Sequence, residues 1–180
     1  MKRLASLLLA LMLVLSLAAC GEGGLNLNPG GGKSDKKDGY IGDTLSTFWF
    51  DFTVDDAYSC AQYGDYTADT GNKLVVATIT LKNTYSESVP MWGDDFAILW
   101  DEQDGVAPAL PAGISEEQFP DEYNLGINQT KTGTAVYEVP EDVKDFAIGF
   151  QEIMEDTDNP ENLDGIEGET YFVSFTPEEK

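Results

Sequence analysis

From residue 40 onward, apolar and polar residues alternate with a period of two. Phe48, Phe50, Phe52 and Val54 alternate with Trp49, Asp51, Thr53 and Asp55, and Val75, Ala77, Ile79 and Leu81 with Val76, Thr78, Thr80 and Lys82. Phe96, Ile98 and Trp100 form a third set, Ala135, Tyr137 and Val139 a fourth, Phe146, Ile148 and Phe150 a fifth, and Tyr171, Val173 and Phe175 the last. Successive side chains of a strand point to opposite faces, so each set predicts a strand with one face on a core. No segment carries the 3.6-residue stripe of an amphipathic helix. Asn83, the Asp101–Gly105 stretch with its Asp-Gly pair, Pro140 and Pro177 supply the stops. Six or seven short strands divided by turns predict an all-β fold, an immunoglobulin-like two-sheet β-sandwich over residues 40–180. That length suits one domain, and no internal repeat divides it.

The first forty residues follow another pattern. Lys2 and Arg3 precede an apolar run from Leu7 to Leu15, and Leu17-Ala18-Ala19-Cys20-Gly21 closes it. A basic head, a short apolar segment and small residues at the cut make an export signal, and the run is too short to cross roughly 30 Å of hydrocarbon with ease. Cys20 stands where a bacterial lipobox places its modified thiol. That resemblance implies a signal peptide over 1–19, cleavage before Cys20, a diacylglycerol thioether on its sulfur and an acyl group such as palmitate on the new amine. Two or three chains hold firmly where one is marginal. Seven of the nineteen residues from 21 to 39 are glycine, and the others are mostly Asn, Asp, Lys and Ser. Residues 20–39 therefore read as the lipidated cysteine and a flexible linker, with an r.m.s. span of roughly 25 Å. The expected location is the extracytoplasmic face of the cell membrane.

Charge sharpens this picture. The chain holds 33 acidic and 10 basic residues, a net of −23, and residues 40–180 hold 30 acidic residues against five basic, a net of −25. Such a field repels nucleic acid, which excludes DNA and RNA roles, and it attracts cations and basic partners within a Debye length of about 8 Å. The absence of histidine removes Ser-His-Asp and Cys-His relays and imidazole-based zinc sites. With Cys20 lipidated, Cys60 is the remaining thiol. It has no partner for an intramolecular disulfide and is expected as a small buried hydrophobe behind an alternating strand.

Three short motifs occur in order: Lys82-Asn83 ending the second strand, Asp95-Phe96 opening the third, and Gly133 through Val139-Pro140 in the fourth. In this order they resemble the telokin-like, immunoglobulin-like domain of unknown function carried on Gram-positive lipoproteins and related to the mycobacterial immunoprotective extracellular antigen. The resemblance covers most of residues 40–152. Members often place a Pro-Gly pair before the fourth strand, where this chain has Ile127-Asn128-Gln129. The resemblance implies a fold and a location and assigns no reaction.

Two groups of residues are candidates for a ligand. Glu152, Glu155, Asp156, Asp158, Glu161, Asp164, Glu167 and Glu169 place eight carboxylates between two predicted strands without a Lys or Arg. Glu155, Asp156, Asp158, Glu161 and Asp164 are the candidate Ca²⁺ ligands, since hard oxygens at this density suit that ion. The EF-hand spacing fails, because Pro160 and Glu161 occupy the fifth and sixth positions from Asp156, and a solvated acidic loop is the favoured reading. Trp49 and Trp92 are the aromatic candidates, indoles able to stack on a sugar or anchor a protein. No catalytic residue is assigned. The sequence supports a membrane-anchored, non-catalytic module binding a protein, peptide or glycan at the cell surface. The alternatives are a calcium-binding envelope domain and a hydrolase built on paired carboxylates.

Overall fold

A computed structural model describes residues 36–101, 104–154 and 165–180, and these form strands and turns without an α-helix. The strands are β1 (Asp38–Tyr40), β2 (Thr44–Ser46), β3 (Phe50–Cys60), β4 (Gln62–Tyr63), β5 (Tyr66–Thr67), β6 (Asn72–Asn83), β7 (Val89–Trp92), β8 (Phe96–Trp100), β9 (Gly105–Ala107), β10 (Glu122–Leu125), β11 (Thr130–Pro140), β12 (Phe146–Met154), β13 (Ile166–Phe175) and β14 (Glu178–Glu179). One sheet has the order β1-β13-β12-β8-β9, and the other runs β11-β6-β3-β14 with β2 also on β3. The strands β1 and β14 pair in parallel with β13 and β3, and the rest of both sheets is antiparallel. The fold is the expected two-sheet β-sandwich.

Its core contains most of the set that alternation selects, joined by Leu45, Val89, Met91, Phe119 and Leu125. Phe50 and Phe52 from one sheet meet Phe96, Phe150 and Tyr171 from the other, with ring centroids 4.9 Å apart for Phe50 and Phe150 and 5.2 Å for Phe52 and Phe96. Such aromatic pairs add about 0.5–1.5 kcal/mol each beyond the area they bury. Tyr137 is fully buried, and its hydroxyl donates to the Phe96 carbonyl at 3.0 Å, tying β11 to β8 across the core.

The structure departs from the alternation in four places. Phe48, expected in the core, is 51% exposed, while Trp49 packs against the core. The cause is a turn: the Thr47 hydroxyl accepts the N–H groups of Trp49 and Phe50 and the Thr47 N–H donates to the Phe50 carbonyl, so the strand register starts only at Phe50. Next, β6 is buried on both faces. Val75, Ala77, Ile79 and Leu81 enter the main core, while Leu74 and Val76 join Val136 in a second cluster beneath Tyr58, Tyr63, Tyr66, Leu110 and Ile114. Cys60 packs there, half-buried rather than fully buried. Strand pairing also begins at Asp38, so β1 takes Asp38 and Gly39 out of the expected linker. Finally, Glu152 belongs to β12 and is 2% exposed, and Glu167 and Glu169 lie in β13. These three carboxylates are strand residues and not part of a solvated loop.

Asn83, the residue of the Lys82-Asn83 motif, is fully buried at the end of β6. Its amide nitrogen donates to the Glu87 and Leu125 carbonyls, both at 2.8 Å, and its carbonyl accepts the Tyr85 N–H at 2.7 Å. One side chain thus pins three chain segments. In the adjoining turn Asn128 takes φ 57°, the left-handed region that Asn tolerates better than most residues, and the Gln129 N–H closes the turn on the Gly126 carbonyl.

Candidate functional site

The two outward faces of the sandwich are finished differently. On the β11-β6-β3 sheet the outward side chains are threonines paired with one another, Thr44 with Thr53 and Thr80 with Thr132, each at 2.8 Å, and Thr80 also donates to Asp55. The Leu74, Val76 and Val136 end of that face is covered by the second cluster. Its long edge strand is capped too: Leu110 and Phe119 donate to the Val136 and Thr134 carbonyls, and Thr134 donates to Glu117. A solvated antiparallel face and a blunted edge are what a soluble sandwich requires.

The outward face of the β1-β13-β12-β8-β9 sheet has such a finish at one end, where Thr170 donates to Gln151 at 2.6 Å, and is more open at the other. Pairing aligns Tyr40, Ser174, Ala147, Leu99 and Val106 in one row across all five strands. Tyr40 is 70% exposed and Val106 60% exposed. The next row places Phe172 beside Gly149. A Cβ on Gly149 would lie 2.8 Å from Leu99 Cδ1 and 3.3 Å from Phe172, so these two side chains lean together over the space a larger residue would fill. Small residues in the middle and large ones at the sides make a trough.

The trough opens at one end of the sheet into a cleft of about 1050 Å³, walled by Tyr40, Leu99, Trp100, Phe172 and Phe175 and roofed by the Pro140–Asp145 turn. The turn is braced: Lys73 donates to the Val143 carbonyl, with its ammonium 5.8 Å from the Phe146 ring centre, and Thr176 donates to Asp145. Asp38, Asp101, Asp142 and Asp145 stand around the cleft with Lys144 as its one cation. None of the three ion pairs among the described residues, Lys36–Asp43, Lys37–Glu169 and Lys180–Asp56, uses those four aspartates. Apolar walls with carboxylates outside any ion pair at the edge can hold an apolar group that carries positive charge.

The residues singled out in the sequence lie elsewhere. Trp92 is 47% exposed at the end of β7, where Asp95 accepts its N–H at 2.8 Å and donates its own to the Trp92 carbonyl. Burial pushes the Asp95 carboxyl up to about 6, against the pull of that N–H. Trp49 touches Phe48 edge-on at 5.6 Å, and Phe48 lies 5.5 Å from Tyr85. Neither tryptophan lines the cleft; the third one, Trp100, does. Glu155, Asp156, Asp158, Glu161 and Asp164 lie outside the described residues, as does Cys20. Among the described residues no three His, Cys, Asp or Glu side chains come together as metal ligands would.

Several carboxylates instead hold the fold. Glu152 accepts the Phe48 N–H at 2.7 Å, the Tyr171 hydroxyl at 3.1 Å and the Glu169 N–H at 3.4 Å. Burial, aided by the Glu152 charge, pushes the Tyr171 hydroxyl up to about 12. Glu138 accepts from Tyr66, Asn72 and the Asp69 N–H, bonds that hold its carboxyl below the usual range, the Tyr66 bond foremost.

A family model described as a domain of unknown function, DUF4352, matches residues 40–159. The chain belongs to the DUF4352 family. No curated protein matches it. Solved structures share the sandwich fold at low identity. A candidate lipoprotein, ycdA, from Bacillus subtilis is 9% identical with a TM-score of 0.51 over 79% of this chain, which spans only 39% of that one. An uncharacterized β-sandwich protein from Clostridium difficile is 11% identical, TM-score 0.50, over 83% of this chain and all of its own. The secreted protein MPT63 of Mycobacterium tuberculosis is 15% identical, TM-score 0.50, over 64% of this chain and 91% of its own. These likenesses bear out the resemblance to an unknown-function domain related to the mycobacterial antigen.

Proposed function

We infer that this DUF4352 domain is a non-catalytic recognition module, carried outside the cytoplasm on a lipid anchor at Cys20, whose ligand seat is the outward face of the β1-β13-β12-β8-β9 sheet. The observation that supports the seat is the open cleft at one end of this sheet, where Tyr40, Leu99 and Phe172 meet an edge of four aspartates, set against threonine pairs and the second cluster on the opposite face. A concave surface that joins apolar walls to a few converging polar groups is where ligands commonly settle. The anchor rests on Leu17-Ala18-Ala19-Cys20, and the likeness to ycdA and MPT63, a candidate lipoprotein and a secreted protein, supports a location beyond the membrane.

Two experiments test the reading. Cys20→Ser should release the protein from the membrane fraction of the producing cell, and continued retention overturns the anchor. A photo-crosslinking residue at Tyr40 in the anchored protein should trap a discrete partner on living cells, and the same residue at Thr132, on the threonine face, should not. Equal labelling from both positions, or none from Tyr40, overturns the seat.

A further inference from the structure

We propose that the cleft takes an extended cationic segment of a partner polypeptide, in which Lys or Arg alternates with apolar residues. The inference rests on the reading of this face as a ligand seat and names what fills it. Tyr40 and Leu99 are aligned through Ser174 and Ala147, three strand spacings apart. That is roughly 14 Å, the length of about four residues of extended chain. Side chains of such a segment project alternately, so every second residue faces the Ser174–Ala147 floor while the others face the edge and solvent. The small floor is flanked by the apolar side chains of Tyr40, Leu99 and Phe172, which suit apolar groups, and the edge, with Asp38, Asp101, Asp142 and Asp145, suits cations.

Other occupants fit the charge poorly. A second copy of this chain would bring another domain of net −25 to the same surface, and like charges oppose that association. Anionic lipid headgroups meet the same repulsion. A compact cation caged by aromatic rings has less of the Trp100 indole to use, because that ring is pressed on Gly105. One face of that ring is already occupied.

The test uses the acyl-free mature chain, made with Cys20→Ser, and three blocked hexapeptides: alternating Lys and Val, alternating Lys and Ser, and alternating Glu and Val. Calorimetry at low salt should show saturable binding of the Lys/Val peptide, at least tenfold weaker binding of the Lys/Ser peptide, and none of the Glu/Val peptide. Replacing Asp142→Asn and Asp145→Asn together should weaken the Lys/Val peptide about fivefold, since exposed ion pairs are individually modest. Tyr40→Ser, at a site 70% exposed and so harmless to folding, should weaken it about tenfold, as loss of an aromatic anchor does. Equal binding of the Lys/Val and Lys/Ser peptides overturns the proposal, because the apolar walls would be idle. Binding of Glu/Val peptide, dimerisation that blocks the cleft, or saturable binding to phosphatidylglycerol vesicles that Tyr40→Ser abolishes also overturns it. If no peptide binds while the Tyr40 crosslinker still traps a partner, the cationic segment is wrong and the seat stands. If both fail, both readings fall.

Discussion

Asn83→Ala tests the account of the fold most directly. The side chain is fully buried and makes three hydrogen bonds between 2.7 and 2.8 Å, two to carbonyls and one from a backbone N–H. Removing one partner from a buried hydrogen bond costs about 1–3 kcal/mol, because the remaining group keeps its desolvation penalty. The Leu125 carbonyl is further approached by Ser88 at 3.4 Å, a weak substitute, and the Glu87 carbonyl lies in a turn that water can reach. Counting the Leu125 and Tyr85 groups in full and discounting Glu87 gives about 3–4 kcal/mol, a large share of the 5–15 kcal/mol that typically holds a domain together. The melting temperature should fall by about 10 °C for a domain of this size. Asn83→Asp keeps the shape but sets a carboxylate against two carbonyls with no donor between them, so at neutral pH it should be at least as damaging as alanine. Urea unfolding followed by tryptophan emission and circular dichroism reads both. A loss under 1 kcal/mol for alanine, or an aspartate variant milder than alanine, refutes the assignment of Asn83 as the pin of the three segments.

Two further outcomes follow from the geometry. Gly105→Ala drives a Cβ into the Trp100 indole, so it should cost about 1–3 kcal/mol as an overpacking change does and shift the tryptophan emission of the cleft. Asp95 has its carboxyl near 6 in the folded chain against an ordinary value of 3.8. Between those values the native state binds the proton more tightly than the unfolded chain, so the stability this group contributes is full below about pH 4 and lost as the pH rises through 6. Melting temperatures of wild type and Asp95→Asn should therefore diverge over that interval, the variant gaining on the wild type as pH rises, and parallel curves would show that Asp95 does not titrate there.

Period-two alternation was enough to find the sandwich, because β3, β6, β8, β11, β12 and β13 each turn one apolar face to the shared core. It misplaced what depends on contacts distant in sequence. Phe48 and Trp49 exchange roles because the Thr47 turn resets the register. The run Leu74-Val75-Val76-Ala77 carried a local sign of two-sided burial, an unbroken apolar stretch, but the covering came from β4, β5 and residues near 110. Asp38-Gly39-Tyr40 has the composition of a linker and becomes a strand only by pairing with β13, more than 130 residues away. Glu152 looked like one of eight solvated acids, since its principal partner, the Phe48 N–H, is 104 residues distant. The cleft was hidden for the same reason: Tyr40, Leu99, Ala147 and Ser174 are brought into one row by pairing alone.

The strand that supplies Tyr40 is also where the chain enters the fold. The strand β1 is held to β13 by three register pairs, Asp38–Phe172, Gly39–Val173 and Tyr40–Ser174, with the Phe172 N–H donating to Lys37 just before them. The ladders joining β3, β6 and β11 are each at least ten pairs long. A pull arriving from the N-terminal side would therefore peel β1 away long before it strained those ladders. The first thing lost under tension would be one wall of the cleft, so grip on a ligand would slacken while the rest of the domain stayed whole.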